Sequence, residues 1–241
     1  MEAIRMDNLT KKYKDVVAVD NLSLSVQKGE LLSLLGINGA GKTTTIKMLS
    51  CLTSPTSGDA FLNEKSICKE ITAVKSMIAV SPQETAVAMG LTVRENLELI
   101  CGVHGFTKEK KNEKISELTK LLGLESVIKR KAGKLSGGWQ RRLSIAMALI
   151  SEPEILFLDE PTLGLDVIAR SELWDLIRSL KGNVTIILTT HYMEEAEALS
   201  DRIAIMKNGK LIICDSADKI KETAGTENFV QAFIHIVKEE V

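Results

Sequence analysis

The stretch from Leu31 to Leu52 constrains this 241-residue chain most. Leu31-Leu-Ser-Leu-Leu35 has the length and apolar character of a short buried strand, and Thr43 to Leu52 has helical spacing. Between them, Gly36-Ile37-Asn38-Gly39-Ala40-Gly41-Lys42-Thr43 fits G-x-x-x-x-G-K-[ST] in the strand–loop–helix context that the motif requires. Glycines there let backbone N–H groups turn inward around phosphate oxygens, and the helix N-terminus adds the positive end of its dipole. Lys42 reaches the β- and γ-phosphates as a point charge, and Thr43 offers a hydroxyl to Mg²⁺. A plain glycine turn accounts for the glycines but not for a lysine followed by three threonines.

Further strand candidates are Ile78–Val80, Ile155–Leu158, Val184–Leu188 and Ile203–Met206, with helical stretches between several of them. That alternation predicts an α/β class: a mostly parallel sheet flanked by helices. The opening segment, Ala3 to Val26, carries short apolar stretches with polar breaks and predicts an antiparallel β portion. From Gly90 to Ile150 strand signals vanish. Val93–Ile100, Lys108–Leu122 and Gln140–Ile150 read as helices, so residues 90–150 are expected to be an inserted helical subdomain. Residues 1–89 and 151–241 then form the α/β core of a single domain. Lys207-Asn-Gly-Lys210 predicts a hairpin turn, and Glu227 to Val241 a short amphipathic helix with an acidic tip.

Charge narrows the partners. Thirty-one Lys and Arg against 32 Asp and Glu leave a net charge of −1, so no basic excess exists to grip nucleic acid. Cys51, Cys68, Cys101 and Cys214 contain no C-x-x-C pair and are expected to be reduced thiols in a cytosolic core. Neither a signal peptide nor a run of the roughly 20 apolar residues that a membrane helix needs is apparent, so any work at a membrane is expected through another chain.

The apolar run Ile155–Leu158 breaks into Asp159-Glu160, placing two carboxylates at the C-terminal end of a buried strand. Asp159 suits the water shell of Mg²⁺, and Glu160 suits orienting and deprotonating an attacking water. His191 closes Leu188-Thr-Thr-His at another strand end, within reach of a γ-phosphate. A guanine-reading Asn-Lys-x-Asp, which a P-loop GTPase needs, is absent.

Leu135-Ser-Gly-Gly138-Trp-Gln-Arg-Arg142 precedes Asp159 by about a helix length. Together with the elements above it resembles the ATP-binding cassette family, the nucleotide-binding subunits of ABC transporters, over essentially the whole chain. The resemblance implies that Tyr13 stacks on adenine, that Gly36 to Thr44 form the phosphate loop, and that Gln83 touches the metal and couples to a membrane partner. It implies further that Ser136, Gly137 and Gly138, with Asp166 of Leu163-Gly-Leu-Asp166, act in trans across a dimer, and that His191 is the switch histidine. Trp139 stands where the family usually has glutamine, and a bulky indole must reshape that dimer contact.

By the same resemblance, ATP and Mg²⁺ are the ligands. The partners are integral membrane transporter subunits and a second ABC ATPase, identical or paralogous, with the chain on the cytoplasmic face of the membrane. Leu91-Thr-Val-Arg-Glu-Asn96 and Asp159-Glu-Pro-Thr-Leu-Gly-Leu-Asp166 look most like the branch serving multidrug, antibiotic, sodium or lipid exporters. The alternative is a non-transport ABC ATPase acting on a soluble, ribosomal or DNA partner.

Overall fold

The computed structural model describes residues 1–239. Strands β1 (Glu2–Tyr13), β2 (Val16–Gln27), β4 (Ser57–Leu62) and β5 (Lys65–Ser66) form an antiparallel sheet in the order β2-β1-β4-β5. Strands β3 (Leu31–Leu35), β6 (Ile78–Ser81), β7 (Ile155–Asp159), β8 (Thr185–Thr190), β9 (Arg202–Lys207) and β10 (Lys210–Asp215) form a second sheet, β10-β9-β3-β8-β7-β6. All its pairings are parallel except β9 with β10. The helices are α1 (Lys42–Leu49), α2 (Ile71–Met77), α3 (Val93–Val103), α4 (Lys108–Leu121), α5 (Gly137–Leu149), α6 (Val167–Leu180), α7 (Met193–Leu199), α8 (Ala217–Thr223) and α9 (Phe229–Glu239).

The second sheet is buried on both faces, and the period of two sorts its side chains. Leu156, Leu158, Ile186 and Leu188 enter one apolar core, shared with residues of α3 to α6. Ile155, Phe157, Ile187, Leu32 and Leu34 face the other way, into a core closed by α1 and the antiparallel sheet. This is why these strands read as uninterrupted apolar runs rather than as alternating ones.

Several expectations need adjustment. The antiparallel sheet is not limited to Ala3–Val26, because β4 and β5, which follow α1, complete it on the β1 side. Ser57-Gly-Asp carries little strand propensity, and its pairing comes from tertiary context. The helix expected from Gln140 starts three residues earlier, since Ser136 takes the extended dihedrals of an N-cap and the two glycines begin the helix. The acidic tip expected after Glu227 runs beyond the described residues. All four cysteines are free, but Cys68 is exposed, not packed in the core.

Phe157 is fully buried in the middle of this layered core. Replacing it with alanine should cost about 3–5 kcal/mol of unfolding free energy with an unchanged denaturant slope. Urea titration checks this, and a loss under about 1 kcal/mol would mean the site repacks freely.

Candidate nucleotide site

Five parallel strands deliver their C-terminal ends to one sheet edge. Gly36 follows β3, Pro82 and Gln83 follow β6, Glu160 follows β7, His191 follows β8 and Asn208 follows β9. Ligands bind at such edges in open α/β sheets. A cleft of about 800 Å³ lies there, within the roughly 300–1,000 Å³ typical of small-molecule sites. Its lining includes Asn38 to Thr44, Gln83, Glu160, Leu163 and His191, and, from the antiparallel sheet, Val16 to Ala18.

The glycine loop is held by close backbone approach. Gly41 has φ +101°, and a Cβ there would lie 2.4 Å from the Ala18 carbonyl oxygen. Gly209, in the Asn208-Gly209 turn with both residues at positive φ, packs against Ala18 and donates its N–H to the Ala40 carbonyl at 3.2 Å. The hairpin turn thus buttresses the loop from behind. Inside it, Lys42 Nζ is nearly buried and donates to the carbonyls of Gly36 (2.7 Å) and Ile37 (3.2 Å). Burial holds its pKa below the ordinary value, and the Glu160 and Asp159 carboxylates oppose that shift.

Glu160 joins the other catalytic candidates. Its carboxylate lies 3.9 Å from Lys42 Nζ through one oxygen and 3.1 Å from His191 Nδ1 through the other. When Nδ1 carries the proton it donates to Glu160 and leaves Nε2 as the nitrogen available to a ligand. Glu160 adopts φ +46°, a left-handed conformation that costs a non-glycine residue about 1–3 kcal/mol. Its backbone N–H is shared between the carbonyl (3.1 Å) and the hydroxyl (3.0 Å) of Thr189, which over-determines that conformation.

The Thr189 hydroxyl also donates to Asp159 Oδ1, the same oxygen that accepts from Thr43 Oγ1 at 3.2 Å. Thr189 therefore organises both carboxylates, although sequence reasoning did not single it out; a polar β-branched residue at the end of a buried run was the available signal. Asn208, likewise missed, carried its signal in the Asn-Gly turn. A hydroxyl beside a single carboxylate fits Mg²⁺, which takes few protein ligands and fills its octahedron with phosphate oxygens and water. No cluster of three or more His, Cys, Asp or Glu suited to a metal occurs among the described residues.

The remaining candidates lie apart from this lining. Tyr13 ends β1, is exposed, and pairs with Val16, which does line the cleft; Lys11 Nζ sits 5.0 Å from its ring. Ser136 and Gly137 are exposed at the α5 N-terminus, where the Ser136 side chain makes no capping bond. Gly138 packs close to Ala169, and Trp139 rests half-buried on the helical core with the Arg142 guanidinium 5.0 Å from its ring. Gln140 is turned to the carbonyls of Ala132 (3.1 Å) and Leu135 (3.3 Å). Exposed Asp166 caps α6, accepting from Ala169 N–H at 2.9 Å.

Lys42→Met should keep the unfolding free energy within about 1 kcal/mol of wild type, because the ammonium's desolvation offsets its two hydrogen bonds. ATP affinity should fall at least about tenfold with the loss of a charged phosphate contact. The folded-state pKa of Lys42 is depressed, so the unfolded chain binds the extra proton. Wild type should therefore gain stability relative to Lys42→Met as pH rises from the depressed value towards 10.5. Urea unfolding across that window and binding calorimetry near neutrality check both parts.

Comparison with known proteins bears on the whole chain. The family model described as "ABC transporter" matches residues 19–163. The daunorubicin resistance ATP-binding protein DrrA3 of Streptomyces coeruleorubidus is 40% identical over 224 residues, covering 92% of this chain and 71% of that protein. The probable multidrug ABC transporter ATP-binding protein YbhF of Escherichia coli (strain K12) is 38% identical over 240 residues, 97% of this chain and 41% of YbhF. Human phospholipid-transporting ATPase ABCA3 is 40% identical over 226 residues, 92% of this chain but only 13% of ABCA3. A solved ATP-binding subunit of an ABC transporter superposes with TM-score 0.85 at 25% identity, covering 98% of this chain and 99% of that one. The dimeric post-hydrolysis cassette MJ0796 bound to ADP and Pi gives 0.79 at 28% identity, over 88% and 98%. The phosphate loop, the paired carboxylates at a parallel-sheet edge and these likenesses lead to one conclusion: the chain belongs to the ABC transporter family, as one of its ATP-hydrolysing cassettes.

Proposed function

We propose that this chain is the engine of a membrane exporter, closing as a dimer on ATP and opening after hydrolysis. The observation that carries the reading is the convergence of Lys42, Glu160 and His191 on one cleft beside Asp159. The γ-phosphate takes the position facing Lys42, replacing the 3.9 Å contact with Glu160 by a closer anion. Glu160, released from the lysine but still held by its strained backbone, orients the attacking water and accepts its proton. His191, with Nδ1–H on Glu160, donates from Nε2 to the γ-phosphate when both ring nitrogens carry protons, and so senses its presence. Thr43, Gln83 and Asp159 are the residues that would hold Mg²⁺, which would supply positive charge against the phosphates. Tyr13 and Val16 flank the adenine.

Ser136, Gly137, Gly138 and Asp166 serve the nucleotide of a second cassette. An exposed helix N-terminus without a side-chain cap suits a phosphate approaching from outside. ATP bridges both cassettes only when they are closed, which is the differential affinity that drives the cycle. No helix among the described residues is long and apolar enough to cross a membrane. The family resemblance is what supports integral membrane subunits as the translocation pathway. DrrA3 is a daunorubicin resistance ATP-binding protein, YbhF a probable multidrug transporter ATP-binding protein and ABCA3 a phospholipid-transporting ATPase, and these likenesses favour export over import.

Three measurements test this reading. Specific ATPase activity should rise with chain concentration and depend on pairing; full activity independent of concentration would remove the composite site. Tagged Glu160→Gln chain, solubilised from native membranes with ATP present, should co-purify with a multi-spanning protein in fixed stoichiometry. A soluble, ribosomal or DNA-bound partner would overturn transport and leave the ATPase standing. With stacking as the main hold on the base, ATP should be preferred over GTP by less than about a hundredfold, the range that hydrogen-bond readout exceeds.

A further inference from the structure

We propose that Arg141 is a positioning residue for Gln83, a guanidinium clamp that makes the helix carrying Ser136–Gly138 and the strand end carrying Gln83 move as one unit. The proposal rests on the reading of Gln83 as a group that meets the nucleotide-bound metal.

Arg141 lies on α5, five residues after Ser136, and is 4% exposed. Its Nη1 donates to the Pro82 carbonyl and its Nη2 to the Gln83 carbonyl, both at 2.6 Å. Two short charge-assisted bonds from one rigid fork to two successive carbonyls fix the direction of the chain leaving β6. A lysine, with a single point of charge, does not reproduce that geometry. A second link lies on the same face of α5. Ser144, three residues on, shares a buried 2.9 Å hydroxyl contact with Ser81, the last residue of β6. The side chain of Gln83, by contrast, is part of the cleft lining and has no hydrogen-bond partner among the described residues. Its position is set by its backbone, and its backbone is set by Arg141.

The cation sits where burial disfavours it. Burial lowers the Arg141 pKa, and the Asp159 and Glu195 carboxylates act in the opposite direction without a direct ion pair among the described residues. Asp159 also receives the Thr43 hydroxyl, so one guanidinium both shapes the Gln83 turn and contributes to the field at the metal-side carboxylate. Neighbouring Arg142 turns away to Glu172 at 2.6 Å, which leaves the role to Arg141 alone of the pair.

The test compares full-length wild type, Arg141→Lys, Arg141→Gln, Gln83→Ala and the double variant Arg141→Lys with Gln83→Ala. The readouts are Mn²⁺ binding to the ATP complex by electron paramagnetic resonance, ATP affinity without divalent cation, and the split between kcat and KM. Cation-free ATP affinity should stay within about twofold of wild type, because the phosphate loop is untouched. Mn²⁺ affinity should fall about 10- to 100-fold, as for lost supporting contacts at other metal sites, with kcat falling more than KM rises. Adding Arg141→Lys to Gln83→Ala should cost nothing further.

Losses that add to those of Gln83→Ala, or that appear equally in cation-free binding, overturn the proposal and make the guanidinium general packing. Should Arg141→Gln fail to fold, Arg141→Lys keeps the stem and the charge. Amide hydrogen exchange at residues 83–86 then decides, faster exchange supporting the clamp and unchanged exchange refuting it. A Gln83→Ala variant with wild-type Mn²⁺ affinity would sink the reading of Gln83 itself, a failure distinct from additivity.

Discussion

A lysine ammonium almost removed from water is the constraint on which the rest of the site depends. Lys42 needs oxygen atoms on several sides, and the chain supplies them by curling Gly36 and Ile37 back over the start of α1. That curl requires Gly41 at φ +101° with no side chain, because the Ala18 carbonyl occupies the space where a Cβ would go. Ala18 is in turn fixed by the Gly209 turn, whose carbonyl accepts from Asp20 N–H at 2.9 Å. Three segments distant in sequence, the second strand, the glycine loop and the β9–β10 turn, therefore form one rigid body around a single cation. The antiparallel sheet and the closing hairpin are parts of the anion site as much as parts of the fold.

The same economy governs the carboxylates. Asp159 and Glu160 are adjacent yet do different things, because the backbone turns into the left-handed region between them. Asp159 remains in the strand, buried, facing Thr43 and Thr189; Glu160 swings out to Lys42 and His191. Thr189 on the neighbouring strand enforces the split through both its carbonyl and its hydroxyl. A strained residue persists where its surroundings over-determine it, and here those surroundings are a strand register, Asp159 opposite Thr189.

Legibility followed the range of the interactions. The glycine loop, the Asp-Glu pair and the strand-terminal histidine were readable because each is a local pattern whose chemistry requires its spacing. The helical stretch from Val93 was readable for a similar reason: Thr92 and Glu95 form a reciprocal capping box, a short-range signal. β4 was not, since Ser57-Gly-Asp becomes a strand only when β1 pairs with it. Nor were the work of Thr189 and the Arg141 fork, because nothing local to either residue announces the partner, 30 residues away for one and 58 and 59 for the other. Tyr13 marks an intermediate case: the resemblance implies that it stacks on the base, and it stands exposed at the end of β1, outside the cleft lining, with its strand partner Val16 in that lining.

One asymmetry in the site bears on how such a chain works. Lys42, Glu160 and His191 share a cleft, whereas Ser136, Gly137 and Asp166 are exposed outside it. The α5 N-terminus is an electropositive end with no side-chain cap, a feature of little use to its own fold. A helix that only had to be stable would gain about 0.5–2 kcal/mol from a proper cap. On the reading proposed above, leaving the Ser136 hydroxyl uncommitted keeps it for the phosphate of a second copy. Asp166, which does cap its helix, would present its other carboxylate oxygen at the same surface. The chain then holds two half-sites, each incomplete alone, and the clamp from Arg141 to Gln83 is a direct hydrogen-bonded link between them. Through that route a change at the metal side of one half-site would reach the phosphate-binding end of the other within the same chain, which is the property an alternating closed-and-open dimer requires.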